Sequence, residues 1–99
     1  MATAYAERID ERVVVLQTLV AELQGFPEES SRLEFTRQFN DARMVLEQSD
    51  TDLARLFRIS RPTASRWRSG DSAPHDLGRK AVFNALARVA KDKLRAISR

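Results

Sequence analysis

Residues 49–70 read SDTDLARLFRISRPTASRWRSG, and two capping signals divide the stretch. Ser49 stands ahead of one apolar run and Ser60 ahead of another. A serine hydroxyl in that place accepts from an orphan N–H of the first helical turn. Asp52 adds negative charge at the positive end of the first helix dipole. Leu53, Ala54, Leu56 and Phe57 give that helix an apolar face. Pro62 falls in the first turn of the second helix, where a missing N–H does little harm, and Gly70 stops it. Arg58-Ile59-Ser60 is left as the turn. The spacing predicts two short helices joined by a tight turn, each too short to be stable alone.

The second helix has two unlike sides. Ala64 and Trp67 are three apart and, with Ile59, face the preceding helix. That assigns Trp67 to the core rather than to base stacking. Arg61, Ser65 and Arg68 follow one outer edge; Pro62, Arg66 and Ser69 follow the next. The exposed side is arginine, small hydroxyls and proline.

Upstream, Ser31-Arg32-Leu33-Glu34 matches a capping box and opens a helix over about 32–48. Leu33, Phe35, Phe39, Ala42 and Leu46 form its inner stripe, with Met44 and Val45 beside it. Arg37, Gln38, Asp41 and Arg43 fall mostly on the other side. Before it lies a linker, Phe26 to Ser30, carrying Glu28 and Glu29. The first helix spans about Tyr5 to Gln24 after a frayed start at Met1–Ala4, and Gly25 and Pro27 end it. Its apolar residues Ile9, Val13, Leu16, Val20 and Leu23 recur at intervals of 4, 3, 4 and 3. Such a seam suits a homodimer interface; it equally suits packing on the chain's own domain. Val14, Val15 and Leu19 widen it.

Downstream, Asp71 to His75 is a loop containing Pro74, followed by a helix over about Asp76–Ile97. Val82, Leu86, Val89 with Ala90, and Leu94 are its stripe, and Phe83 broadens it. Leu77, Ala81, Ala85 and Ile97 stand at the margin. Gly78 marks a point where this helix could break in two. The expected architecture is an all-α bundle: residues 1–27 an N-terminal helix serving dimerisation, residues 28–99 the domain that contains the two-helix motif at 49–70.

Ninety-nine residues, 42% of them hydrophobic, suffice for one small core. There is no cysteine, hence no disulfide or thiolate metal site. No apolar run is long enough to span a membrane and no secretory pattern opens the chain, so a cytoplasmic, nucleoid-associated location is expected. Charge is uneven: residues 1–49 hold 5 Arg against 9 acidic residues, residues 50–99 hold 12 Lys and Arg against 5 acidic. The basic half holds the two short helices. A polyanion partner fits it, and so does plain solvated surface. His75 is the only histidine and has no second metal ligand. No phosphate loop, nucleophile–base set or convergent carboxylate pair is present, so neither enzymatic activity nor a cofactor is expected.

Residues 49–74 resemble the Cro/repressor-type (XRE-like) helix-turn-helix family. Ala54 matches the family's small residue inside the first helix, and Ile59 its aliphatic residue in the turn. Ser60-Arg61-Pro62-Thr63-Ala64-Ser65-Arg66-Trp67-Arg68-Ser69-Gly70 matches a recognition helix of the type Ser-Arg-x-Thr-x-Ser-Arg-Trp-x-x-Gly. Pro74 matches a proline that often follows that glycine. The chain departs from the pattern at Arg58, where a small residue is usual, at Ala64, where valine or isoleucine is usual, and at Gln48, often apolar. The resemblance implies that one helix crosses the DNA backbone and the next enters the major groove.

Double-stranded DNA is thus the expected partner. Arg61 and Arg66 have the length and direction to donate paired bonds to guanine, with Pro62, Ser65 and Ser69 as further base contacts. Thr51, Arg55, Arg58, Ser60, Thr63 and Arg68 suit phosphates, and the resemblance adds Arg79 and Lys80. Pairing with Asp50, Asp52 or Asp71 is the alternative role for these arginines. The expected function is a transcriptional regulator, a repressor acting as a homodimer on an inverted repeat. A rival expectation is an antitoxin-type module whose acidic N-terminal helix binds a protein partner.

Overall fold

Five α-helices make up the described part of the chain: α1 (Ala2–Gln24), α2 (Arg32–Val45), α3 (Asp50–Phe57), α4 (Arg61–Ser69) and α5 (Asp76–Ile97). The structure, a computed structural model, describes residues 2–27 and 29–97, and side chains from residue 11 onward. The Ile9 side chain, Met1, Glu28 and Arg99 lie outside the described residues. No strand occurs among the residues described, and the fold is all-α as expected.

α1 and α5 pack along each other. Phe26, just past the end of α1, meets Phe83 near the start of α5 at 4.4 Å between ring centroids, so the pair is antiparallel. Leu16, Leu19 and Leu23 of α1 and Val82, Phe83, Leu86, Ala87 and Ala90 of α5 are buried. α2 lies across them through Phe35, Phe39, Ala42 and Leu46, and α3 and α4 add Leu53 and Ala64.

The chain's 5 phenylalanines and its one tryptophan form a single row of touching rings. Phe26 meets Phe83, Phe83 meets Phe35 at 5.2 Å, and Phe35 meets Phe39 at 5.4 Å. Phe39 meets Trp67 at 6.0 Å, and Trp67 meets Phe57 at 5.9 Å. This row joins the long-helix pair to α3 and α4, each contact adding to simple area burial.

Several expectations change. The α1 seam turns inward: Leu16 and Leu23 are fully buried, Val20 packs at the core margin and Val13 is half-buried. A 4–3 apolar repeat asks only for a facing helix, and here the chain's own core, chiefly α5, fills it. Val14, 59% exposed, and Val15 face solvent instead. Leu33 is 60% exposed, because two residues along a helix turn it about 200° from Phe35. Met44 is exposed for the same reason, and Leu77 is 88% exposed on the outer side of α5. α5 runs unbroken through Gly78.

α2 ends at Val45, earlier than Gln48. Glu47 takes a left-handed φ of 55°, while Gln48 N–H bonds Arg43 O at 2.9 Å and Glu47 N–H bonds Met44 O at 3.2 Å. That is a Schellman closure made without glycine. Arg12 Nη1 donates to Val45 O at 3.1 Å, tying α1 to the negative end of the α2 dipole.

Candidate nucleic-acid interface

α3 and α4 are fixed at their ends by the residues that signalled them. Ser49 Oγ accepts from Asp52 N–H at 3.1 Å and Asp52 Oδ2 accepts from Ser49 N–H at 3.0 Å, a reciprocal capping box. Ser60 Oγ accepts from Thr63 N–H at 3.1 Å, and Gly70 closes α4 at φ 88° with a bond to Arg66 O at 3.0 Å. At Ser31 only the serine half of the expected box forms, to Glu34 N–H at 3.1 Å.

The turn explains the residue that fits the motif least well. Arg58 has φ 55° and ψ 46°, the left-handed conformation, and the following Ile59 N–H bonds Ala54 O at 3.0 Å. The corner needs that conformation to reverse the chain, which is why glycine is the easy choice there. An arginine in it carries a cost of about 1–2 kcal/mol.

α4 is anchored on one side. Ala64 is fully buried and Trp67 sits edge-on to Phe35 and Phe39, as its spacing predicted. Asn40 of α2 donates through Nδ2 to Arg68 O at 2.8 Å and to Thr36 O at 3.0 Å. It thereby satisfies a carbonyl at the end of α4 and pins it to α2. Nothing in the local pattern marks Asn40 for this, since the partner lies 28 residues away.

The opposite side is open. Arg61, Pro62, Arg66 and Ser69 are exposed and Ser65 half-buried. Arg66 Nη2 donates to Thr63 Oγ1 at 3.2 Å, and the Ser60 and Thr63 hydroxyls meet at 2.8 Å. Ser69 Oγ donates to Arg66 O at 3.1 Å. These hydroxyls are partly engaged but keep further bonding capacity. Thr51, Arg55 and Arg58 are exposed around the same unit, and Lys80 is half-buried near the start of α5.

Two arginines expected at phosphates are held by the chain itself. Arg68 Nε and Nη2 bond Asp50 Oδ1 and Oδ2 at 3.0 and 3.1 Å, joining α4 to the first turn of α3. That bond holds the Asp50 carboxyl below the usual carboxylate range, and the charges of Arg43 and Arg61 act in the same direction. Asp50 in turn raises the Arg68 pKa. Arg79, only 12% exposed, donates to Ser30 O and Pro74 O and pairs with Asp76 at 2.9 Å. It ties together the α1–α2 linker, the loop after α4 and the start of α5. Its fork is engaged inside the fold, so the expected phosphate role does not carry over to it.

No protein-family model, curated protein or solved structure matches this chain. Among the described residues no helix is long and apolar enough to cross a membrane, and no cluster of metal-ligating side chains occurs.

Proposed function

We propose that this chain is a sequence-specific double-stranded DNA-binding regulator of transcription, a small repressor whose α4 enters the major groove. One observation carries the reading. α4 is anchored through Ala64 and Trp67, and its other side projects Arg61, Pro62 and Arg66 into solvent. A rigid helix presenting exposed arginines without a carboxylate partner is what base reading requires, since guanine O6 and N7 accept two parallel bonds from one guanidinium. Thr51, Arg55, Arg58 and Lys80 surround it as phosphate contacts, giving affinity and orientation. α4 has only nine residues and can cover only a few base pairs. Two copies reading half-sites about 34 Å apart lengthen the sequence read, so the site is an inverted repeat.

Selection of bound sequences from random DNA tests this directly. A palindrome with guanine at fixed positions is the expected result. Arg61→Ala and Arg66→Ala should each cost about 1–3 kcal/mol on the selected site and relax one position apiece. If both variants keep the wild-type preference, α4 is not the reading element. A single unrepeated site would remove the dimer from the proposal.

A further inference from the structure

Resting on that reading of α4, we infer that Asp50 and Arg68 form a base-reading pair, with Arg68 contacting guanine and Asp50 the positioning residue behind it. Three observations lead there. The first is which donors are engaged. Asp50 takes Nε at 3.0 Å and Nη2 at 3.1 Å, the side-on fork of the guanidinium. Of the end-on fork, Nη1 makes no hydrogen bond and the second N–H of Nη2 makes only a long one, to Ser65 Oγ at 3.4 Å, which a guanine acceptor would replace. An end-on fork is the shape that matches guanine O6 and N7.

The second is location. Arg68 continues the row Arg61, Ser65, Arg68, and Asp50 shares a shallow cleft with Arg61, Pro62 and Ser65. The pair is therefore part of the reading side, and both side chains reach solvent, at 41% and 30% exposure.

The third is charge. A phosphate clamp gains by neutralising an anion and releasing counterions. The cation of Arg68 is already compensated, and a carboxylate beside it repels phosphate. Such a pair contributes little to affinity for arbitrary DNA. What it retains is direction: a long side chain fixed at both the guanidinium and, through Asn40, its own carbonyl loses little freedom on binding.

The test is sequence selection and salt-dependent binding with the full-length chain, its Asp50→Ala and Asp50→Asn variants, and Arg68→Ala, with thermal melts alongside. In the wild type, a guanine attributable to Arg68 should be preferred by roughly 5- to 150-fold over other bases. Arg68→Ala should erase preference at that position alone. Both Asp50 variants should weaken it at the same position. Asp50→Ala should also tighten binding to unrelated DNA and steepen the log–log salt slope by about 0.9, because a free cation now reaches a phosphate. Unchanged preference at every position in the Asp50 and Arg68 variants overturns the pair while leaving Arg61 and Arg66 as readers. A wild-type chain that selects no sequence overturns the reading of α4 and this inference together.

Discussion

The α1–α5 pair and the α3–turn–α4 unit are held by different means. The long pair is joined by leucine, valine, alanine and phenylalanine side chains with almost no exposure. Burying each large one contributes roughly 1.5–3 kcal/mol. The short unit has one fully buried residue per helix, Leu53 and Ala64, and relies on serine caps, a left-handed corner, Asn40 and the Arg68–Asp50 bond. Polar restraints of this sort are worth about 0.5–1.5 kcal/mol each but fix direction closely. The difference suits a division of labour. An apolar platform sets stability, and a polar frame aims one helix.

The platform and the frame meet at Phe35, whose ring touches Phe39, Trp67 and Phe83. Phe35→Ala should therefore be the most damaging change in either region, costing about 3–5 kcal/mol. Chemical denaturation should show one cooperative transition moving to lower denaturant. If α4 melted separately while the long pair stayed folded, the two regions would not share a core.

A smaller effect isolates the frame. Ser49→Ala removes the side-chain half of the α3 cap and should cost about 1 kcal/mol at neutral pH. Acid should add to the contrast. The backbone and side chain of Ser49 hold the Asp52 carboxyl below its ordinary 3.8, and Arg68 does the same for Asp50. Carboxyls lowered on folding contribute stability that is complete above the unfolded value and lost as pH falls through the folded one. Stability should thus decline below about pH 4. Asp50→Asn with Asp52→Asn should flatten that decline in a melt series from pH 5 to pH 2. An unchanged acid limb would show that other carboxylates dominate it.

How much of this was legible in the sequence follows from the range of each interaction. Ser49, Ser60 and Gly70 act within a few residues of themselves, so their signals are local and the helix limits they set are right. The core stripe of α5 and the inward Trp67 follow from helical periodicity. Leu33 leaves the inner stripe of α2 because its angle on the helix, about 200° from Phe35, carries it to solvent although it is apolar. The destination of the α1 seam was not legible: the same 4–3 spacing serves a partner copy or the chain's own α5. Asp50 was one of three carboxylates open to these arginines, but that Arg68 takes it, 18 residues away, was not legible, and the Arg79–Ser30 tie across 49 residues carried no signal at all. A charged residue carries no local mark of which opposite group it will meet. Arg58 was the reverse case, visible as an irregularity in sequence and explained only by its backbone angles.

The smallest expected effect separates the two left-handed corners. Glu47 and Arg58 share φ 55°, one between α2 and α3, the other inside the α3–α4 turn. Glycine adopts that conformation without a Cβ penalty but loses more freedom on folding, so the net gain is on the order of 0.5–1 kcal/mol. Glu47→Gly should gain a little more, since it also removes a negative charge from the negative end of the α2 dipole. On DNA the two should part. Glu47→Gly leaves the positive surface around α4 intact. Arg58→Gly removes one of the proposed phosphate contacts, which should weaken binding to all sequences alike and reduce the salt slope by about 0.9. An arginine kept at a corner that glycine would fill at lower cost is then explained by its charge. If Arg58→Gly binds DNA as tightly as the wild type, with the same slope, the strained arginine has no role at the phosphates.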